Sequence, residues 1–199
     1  FDYCPDTLYG ESKVIGERLL RDLSFKYLDW AVVRPTSIWG PWSDMPHIPY
    51  GLFFKMIERG RYYHINGVRS KRAFGYVGNA IAQIDAVLFS EECFDGEVFY
   101  LVDYEITYIH EWAELIREEY GSKSIRAIPG WVARVGAMVG DVFKFVTGKE
   151  FPMNSRRLKN MTLDTSNVPR ATIKQRCPKL PFTQEAGVKE TVAWFRSLT

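Results

Sequence analysis

The sequence lacks the features that mark several large classes of protein. Its 199 residues include only three cysteines, Cys4, Cys93 and Cys177, which are odd in number and far apart. This excludes a disulfide framework and predicts reduced thiols in a cytoplasmic protein. The 26 Lys and Arg residues are balanced by 24 Asp and Glu residues, so nucleic acid is not an expected partner.

Long apolar runs are also missing, because no segment reaches the roughly 18 unbroken apolar residues of a membrane span. The nearest, residues 131–146, is interrupted by Arg134, Asp141 and Lys144. The sequence therefore predicts no membrane span. The three histidines are isolated from one another and have no metal-ligand spacing, so no metal site is predicted.

Apolar residues are abundant, with 46% of the chain hydrophobic and 15% aromatic, which is ample for a core. Periodicity predicts helices alternating with short apolar strands, which is typical of an α/β fold. The predicted helices cover residues 6–27, 50–59, 79–89, 109–120, 131–147 and 184–198, with 154–165 a basic helix or loop and Asn79 a helix cap. The predicted strands cover residues 30–33, 62–65, 73–77, 98–102 and 124–128.

Only two of these strands, 30–33 and 98–102, have the continuous apolar character of strands buried on both faces. Two strands do not make a covered sheet, since sheets usually have about five or six. We expect the missing strands to lie upstream of Phe1 or to come from another chain. An uncovered sheet edge would make the chain aggregation-prone or oligomeric, for example as a homo-oligomer.

Tyr9 and Lys13 lie four residues apart on the first predicted helix, which places them on one face about one turn apart. A neighbouring ammonium group stabilises a phenolate and lowers its pKa. The pair is therefore a candidate acid/base unit at neutral pH. The spacing is equally compatible with an exposed aromatic ring beside a solvated lysine.

Four strings in order along the chain set this pair in a wider pattern. They are PDTLYGESKVIGE (5–17), VRPTSIWGP (33–41), RAFGYVGNAI (72–81) and LPFT (180–183). In this order they resemble the extended short-chain dehydrogenase/reductases, specifically the NAD-dependent epimerase/dehydratase family. The resemblance covers nearly the whole chain.

The resemblance implies the C-terminal portion of a Rossmann-type doubly wound parallel sheet plus a small mixed α/β substrate-binding region. Residues 1–45 would form the end of the dinucleotide-binding domain, with a further strand near 98–102. Residues 46–199 would be mainly the substrate-binding region, interleaved with the last Rossmann elements.

The family pattern also implies roles for individual residues. Tyr9 would be the catalytic acid/base, and Lys13 would bind the nicotinamide ribose and lower the tyrosine pKa, so that both also belong to the cofactor site. Pro35 and Ile38 match cofactor-side positions, and Ser37 faces the substrate. Arg72 occupies the place of an arginine that binds the diphosphate of a nucleotide-sugar; the alternative is a surface charge in the basic segment 69–72.

The chain departs from the family pattern in what it lacks. It contains neither G-x-G-x-x-G nor G-x-x-G-x-x-G, so the pyrophosphate site cannot be placed. The upstream catalytic Ser or Thr cannot be placed either, and we expect the chain by itself to be inactive. Asn79 stands where the family usually has aspartate, which we interpret as a structural role.

The resemblance implies an enzyme that uses NAD or NADP to epimerise, dehydrate or oxidise a small-molecule substrate, a nucleotide-sugar or related hydroxyl/keto compound, by Tyr-assisted hydride transfer. One alternative is a carbonyl reductase or hydroxysteroid-type dehydrogenase, favoured by the apolar helix 131–147. Another is a non-catalytic binding or scaffold protein. We expect the apolar helix to pack in the core or against a subunit; a substrate channel or a membrane surface are alternatives.

Overall fold

The computed structural model describes residues 3–5, 7–23, 29–42, 49–94, 96–148 and 154–198. Its helices are α1 (Leu8–Asp22), α2 (Pro49–Glu58), α3 (Val77–Leu88), α4 (Ile109–Tyr120), α5 (Gly130–Thr147), α6 (Ser155–Thr162), α7 (Ala171–Arg176) and α8 (Gln184–Ser197). Its strands are β1 (Val32–Pro35), β2 (Ser37–Trp39), β3 (Tyr63–Ile65), β4 (Lys71–Arg72), β5 (Phe74–Tyr76), β6 (Val98–Leu101), β7 (Thr107–Tyr108) and β8 (Arg126–Ile128). The fold is therefore mixed α/β, as predicted.

Two parallel strand pairs form the centre of the fold. β1 pairs with β6, with Val32 opposite Val98, and β2 pairs with β5, with Ser37 opposite Phe74. Thr36 joins the two pairs, because its backbone N–H donates to the Leu101 carbonyl oxygen at 3.1 Å. The predicted parallel strands near 30–33 and 98–102 are thus neighbours, the first of them two residues later in the chain than expected.

Two smaller pairs lie outside this centre. β3 pairs with β8 in parallel, and β4 pairs with β7 in antiparallel orientation. The two strands that flank the turn at Asn66 and Gly67, β3 and β5, therefore pair with other strands and not with each other. This mixture of parallel and antiparallel pairs matches a small mixed α/β region.

An aromatic cluster forms the larger hydrophobic core, with the buried Trp112 of α4 at its centre. The Trp112 ring lies 5.1 Å from that of Trp39, 5.6 Å from Phe54 and 5.2 Å from Phe74, measured between ring centroids. α8 closes the cluster with buried Val188, Val192 and Phe195. Edge-on aromatic pairs of this kind stabilise beyond their buried area.

A second core cluster lies under β6, where Phe99 and Leu101 pack against α3 and α7. β6 is buried along nearly its whole length, as its apolar sequence predicts. The expectation that the strand near 30–33 is buried on both faces is wrong for β1, since Val33 is 36% exposed. The described part of the chain covers only one face of β1.

Several element predictions need correction. α1 ends at Asp22, earlier than the predicted end near Tyr27, which lies outside the described residues. Asn79 does not cap α3: the helix begins at Val77, with Tyr76 as its cap residue, and Asn79 is buried in the first turn. The short strands β2, β4 and β7 and the six-residue helix α7 were not predicted. All three cysteines are free thiols.

Candidate active site

The first turn of α1 positions the two leading candidate residues. The Thr7 side-chain oxygen accepts a hydrogen bond from the Gly10 backbone N–H at 3.1 Å, which is the interaction expected of a helix-capping threonine. Glu11 in the first turn adds a negative charge where the helix dipole favours one. The helix therefore begins at Leu8 and carries Tyr9 in its first turn.

Tyr9 and Lys13 meet on the outer face of this helix. The Lys13 Nζ atom lies 5.1 Å from the centroid of the Tyr9 ring. The Tyr9 side chain is 73% exposed, so its hydroxyl is accessible to a ligand. The structure thus brings these two predicted residues together at an accessible surface.

The half-buried carboxylate of Glu17 fastens α1 to the central strands. The Glu17 carboxylate accepts hydrogen bonds from the Arg34 guanidinium at 2.7 and 3.1 Å, from Arg21 at 3.1 Å and from the Tyr3 hydroxyl at 2.8 Å. Arg34 lies on β1 and also donates to the hydroxyl of Tyr100 on β6. The network therefore sets the position of Tyr9 and Lys13 relative to the ends of these strands.

The same network shifts the pKa values of its members. Burial by itself would raise the pKa of the Glu17 carboxyl, but hydrogen bonds from Arg34, Tyr3 and Arg21 hold it below its ordinary value. Burial would lower the pKa of the Arg34 guanidinium, but the hydrogen bonds to Glu17 and Tyr100 raise it. Both groups are therefore charged at neutral pH, and their attraction holds α1 against β1.

The carboxyl end of β1 carries the candidates predicted to lie beside the cofactor and substrate. Pro35 and Ser37 are exposed, whereas Ile38 is half-buried against the second core cluster. A Cβ atom on Gly75 of β5, the strand that pairs with β2, would lie 2.7 Å from Ile38 Cδ1, so a larger residue there would displace the end of the Ile38 side chain. The ends of parallel strands are where α/β sheets bind ligands.

Ser37 and Arg72 meet through Tyr50, a residue that the sequence did not single out. Burial raises the pKa of the Tyr50 hydroxyl, and this outweighs the opposing effects of a hydrogen bond with Ser37 and of the nearby Arg72 charge. Tyr50 lies on α2, and its ring packs edge-on against Phe74 at 5.3 Å. The structure thus forms a polar group of Ser37, Tyr50 and Arg72.

Arg72 is held by acceptors on α6 and in the segment that follows this helix. Its Nη1 atom donates to Thr165 Oγ1 at 3.3 Å, and Nη2 donates to the Asn160 carbonyl oxygen. Burial lowers the pKa of the guanidinium, partly offset by the charges of Tyr50 and Asp164. Arg72 is therefore a half-buried, oriented cation, which does not fit the alternative of a loose surface charge.

Asn79 has the structural role expected of it, through contacts that the sequence did not reveal. Its side-chain amide donates to Asp103 Oδ1 at 2.8 Å and to the Phe182 carbonyl oxygen at 3.0 Å, and accepts from the Phe182 N–H at 3.0 Å. Burial raises the pKa of the Asp103 carboxyl. An aspartate at position 79 would place a second carboxyl group against Asp103 and remove both donated bonds.

The hydrogen-bond donors and apolar residues of this site fit the nicotinamide-ribose end of a nicotinamide dinucleotide. The Tyr9 phenol and Lys13 ammonium groups can bond ribose hydroxyls, and exposed Pro35 beside Ile38 offers an apolar surface to a flat ring. No glycine-rich loop is present in the sequence to approach a pyrophosphate. The residues of this chain therefore fit the nicotinamide-ribose end of the cofactor and leave the pyrophosphate without a site.

Tyr50 was missed because nothing in its local sequence marks it. It stands in the first turn of an amphipathic helix, where an aromatic residue is ordinary, and only the tertiary fold brings it to Ser37. Across the described ranges, no group of three or more His, Cys, Asp or Glu side chains could hold a metal ion. No helix in the described part of the chain is both long and apolar enough to cross a bilayer.

The model of the NAD dependent epimerase/dehydratase family matches residues 2–101 of the chain. A curated relative, the uncharacterized protein y4nL of Sinorhizobium fredii, is 31% identical over 127 residues. That alignment covers 60% of this chain and 34% of the relative.

Solved structures share the fold. The UDP-glucose 4-epimerase of Thermotoga maritima, solved with UDP-glucose, aligns with a TM-score of 0.67 at 19% identity, over 98% of this chain and 55% of its own. The Thermus thermophilus UDP-glucose 4-epimerase, solved with NAD, gives 0.65 at 19%, over 98% and 56%. The Bacillus cereus UDP-glucuronic acid 4-epimerase, solved with UDP-glucuronic acid and NAD, gives 0.68 at 15%, over 98% and 55%. The chain thus spans about half the length of these enzymes.

Proposed function

The chain belongs to the NAD dependent epimerase/dehydratase family, and from this premise we propose that it supplies the proton-transferring and substrate-binding part of an NAD-dependent enzyme acting on a nucleotide-sugar. The observation that carries the proposal is the contact between Tyr9 and Lys13 on an exposed helix face, 5.1 Å from ammonium to ring centroid. This contact lies within the part of the chain that the family model matches.

Tyr9 acts as the acid/base in this proposal. In its deprotonated form it accepts the proton of a substrate hydroxyl and returns it when the carbonyl is reduced. NAD, when bound, would supply the hydride acceptor and donor for the same carbon. Lys13 donates to the ribose and would hold the cofactor beside the phenol.

Ser37, Tyr50 and Arg72 bind the substrate. The two hydroxyl groups offer donors and acceptors to a sugar, and the oriented guanidinium offers paired donors to a diphosphate. The neighbouring epimerases of Thermotoga maritima and Bacillus cereus were solved with UDP-glucose and UDP-glucuronic acid, which supports a nucleotide-sugar as the substrate class.

The pyrophosphate of the cofactor is bound by residues outside this sequence. The support is physical: the 199 residues contain no glycine-rich phosphate loop, α1 has no buried side chain among its described residues, and one face of β1 is uncovered. A strand and glycine loop packed on this face would complete both the sheet and the cofactor site. We place the enzyme in the cytoplasm, where its three free thiols stay reduced.

The alternative of a carbonyl reductase or hydroxysteroid-type dehydrogenase depended on α5 lining an apolar channel. The large apolar side chains of α5 are instead exposed on the outside of the molecule, with Phe145 at 92%. Of the expectation that this helix packs in the core or against a subunit, core packing is wrong for these large side chains, and packing against a subunit stays a prediction. No observation in the described residues favours a non-catalytic scaffold over the enzyme.

Replacing Tyr9 by Phe tests the mechanism in the enzyme that joins this sequence to its dinucleotide-binding part. We expect kcat to fall by about 10²–10⁴-fold, because the proton acceptor is lost while the ring is kept. Tyr63→Phe, at a tyrosine that is also exposed, is the matched control and should leave kcat unchanged. A Tyr9→Phe enzyme with the parental rate would reject the mechanism.

Replacing Arg72 by Gln tests the substrate class. We expect the Kd for UDP-glucose, measured by calorimetry, to rise by about tenfold to a hundredfold, because a hydrogen bond to a charged group is lost. Arg69→Gln, in the same basic segment and exposed, should change the Kd less than twofold. Equal effects of the two substitutions would mean that only general charge attracts the ligand.

A further inference from the structure

Helix α5 has its amphipathic pattern reversed relative to an ordinary surface helix. The side packed against the protein consists of small residues, with Ala133, Ala137 and Gly140 buried. Asp141 fastens the helix to α6, since its carboxylate accepts a hydrogen bond from the Ser155 N–H at 3.1 Å. The small residues let α5 approach its neighbours closely and leave its large side chains on the other side.

The large apolar residues form an exposed surface that we call the α5 stripe. Each of them is more than half exposed, from 52% for Val135 to 92% for Phe145. The stripe consists of Trp131, Val135, Met138, Val139, Val142, Phe145 and Val146. Their spacing of three and four residues places them on one side of the helix. A contiguous exposed apolar surface of this kind marks an interaction site.

The stripe lies in the most basic part of the chain. Residues 123–163 contain eight Lys and Arg residues against two Asp and Glu, although the whole chain has a net charge of only +2. The rest of the chain is therefore net acidic. Arg134 is exposed beside the stripe, and Arg156 and Lys159 are exposed on α6, which packs against α5. The occupant of this surface must be apolar and negatively charged at once.

We propose that the α5 stripe binds the surface of an anionic phospholipid membrane, with the helix lying in the plane of the interface. Apolar side chains enter the acyl boundary while basic side chains meet the headgroups, and both terms contribute to binding. A second copy of the chain fits less well, because its own basic segment would face this one. The aromatic residues Trp131 and Phe145 suit the boundary between headgroups and acyl chains.

The contribution of the apolar side chains to membrane binding is tested by flotation of the 199-residue chain with phosphatidylcholine vesicles containing about one third phosphatidylglycerol. Val139→Glu should lower the partition coefficient by about tenfold or more, because the charge must enter the acyl boundary. Leu19→Glu on α1 is the matched control, since Val139 and Leu19 are 56% and 57% exposed. It should change partitioning less than twofold.

The contribution of the basic side chains to membrane binding is tested with the double substitution Arg156→Gln and Lys159→Gln. Partitioning to the anionic vesicles should fall by about tenfold or more, whereas the weaker binding to neutral vesicles should not change. The control is Lys55→Gln with Lys189→Gln, two exposed lysines on α2 and α8, which should have no such effect. Circular dichroism of each variant verifies that the fold is kept.

Three outcomes would overturn the proposal. The first is no binding of the parent chain to anionic vesicles. The second is equal loss in the Val139→Glu and Leu19→Glu variants, which would mean unspecific adsorption of any exposed apolar face. The third is a lipid-free dimer, seen in sedimentation, that only Val139→Glu dissociates, because the stripe would then be an interface between two copies. None of these depends on catalysis, so failure here and failure of the proposed activity are distinguishable.

Discussion

Helices α1 and α8 have the same kind of N-terminal cap and similar lengths, but opposite surroundings. Both begin at a threonine whose hydroxyl accepts a backbone hydrogen bond, and their lengths are 15 and 14 residues. Yet α8 buries five residues, whereas none of the described residues of α1 is buried. α8 is held by apolar packing and α1 by the Glu17–Arg34 network, so one chain uses two different means to hold a helix.

This difference shows that apolar periodicity identifies the face of a helix that is expected to be buried, but not the residues that pack against that face. In α8 that cover is the aromatic cluster around Trp112. In α1, Ile15 and Leu19 follow the same spacing but are each 57% exposed. The candidate acid/base pair lies on the helix whose cover is missing, consistent with a site completed by other residues.

Truncating a large apolar residue in each helix should show the contrast most strongly. Phe195→Ala on α8 should lower the free energy of unfolding by about 3–5 kcal/mol, since it leaves a cavity in the aromatic cluster. Leu19→Ala on α1 should change it by less than about 0.5 kcal/mol. Urea denaturation followed by tryptophan fluorescence measures both. Equal losses would mean that the apolar face of α1 is buried in solution.

Adding a methyl group to a glycine in each helix should give effects of opposite sign. A Cβ on Gly187 would lie 2.7 Å from Tyr76 Cδ2 and 2.9 Å from Trp39 Cη2, so Gly187→Ala should destabilise by about 1–3 kcal/mol. Gly16 has no atom within 4 Å of the added group, so Gly16→Ala should stabilise by up to about 1 kcal/mol. Thermal unfolding by circular dichroism checks both, and a destabilised Gly16→Ala variant would contradict the exposed position of α1.

Glu17 on α1 and Asp103, which lies near the segment that leads into α8, should also differ in how pH changes their contributions to stability. The lowered pKa of Glu17 means that its stabilisation is present above about pH 4.3 and is lost as pH falls through the folded-state pKa. The raised pKa of Asp103 means the reverse: its contribution is present below about pH 3.9 and is lost as pH rises through the folded-state pKa.

Unfolding free energies of Glu17→Gln and Asp103→Asn, measured at about pH 3 and about pH 7, separate these effects. Glu17→Gln should cost more at the higher pH than at the lower. Relative to the parent, Asp103→Asn should gain stability as pH rises. The same pH trend in both variants would mean that the two carboxyl groups have similar surroundings.

Local patterns predicted much of the fold and half of the candidate site. The apolar runs identified β1 and β6 to within two residues, although only β6 is buried along nearly its whole length. The contact between Tyr9 and Lys13 followed from helix geometry alone, because residues four apart share a face. These features depend only on residues close together in the chain.

Contacts between distant segments were not predictable in this way. The position of Tyr50 beside Ser37, and the hydrogen bonds of Asn79 to Asp103 and Phe182, join residues between 13 and 103 positions apart in the chain. Asn79 was expected to cap a helix because asparagine often does so. The partners of its amide are Asp103, just after β6, and Phe182, just before α8, and the sequence around Asn79 does not identify them.

The amino-acid sequence by itself determined which segments are helix or strand, which faces are apolar and which two side chains form the candidate acid/base pair. Those properties follow from backbone geometry and from the solvation of single side chains. Only the tertiary structure decided that α8 is buried, that α1 is held by a charged network and that α5 presents its apolar side outward. Burial is a property of the neighbours a face acquires, and those neighbours come from distant parts of the chain.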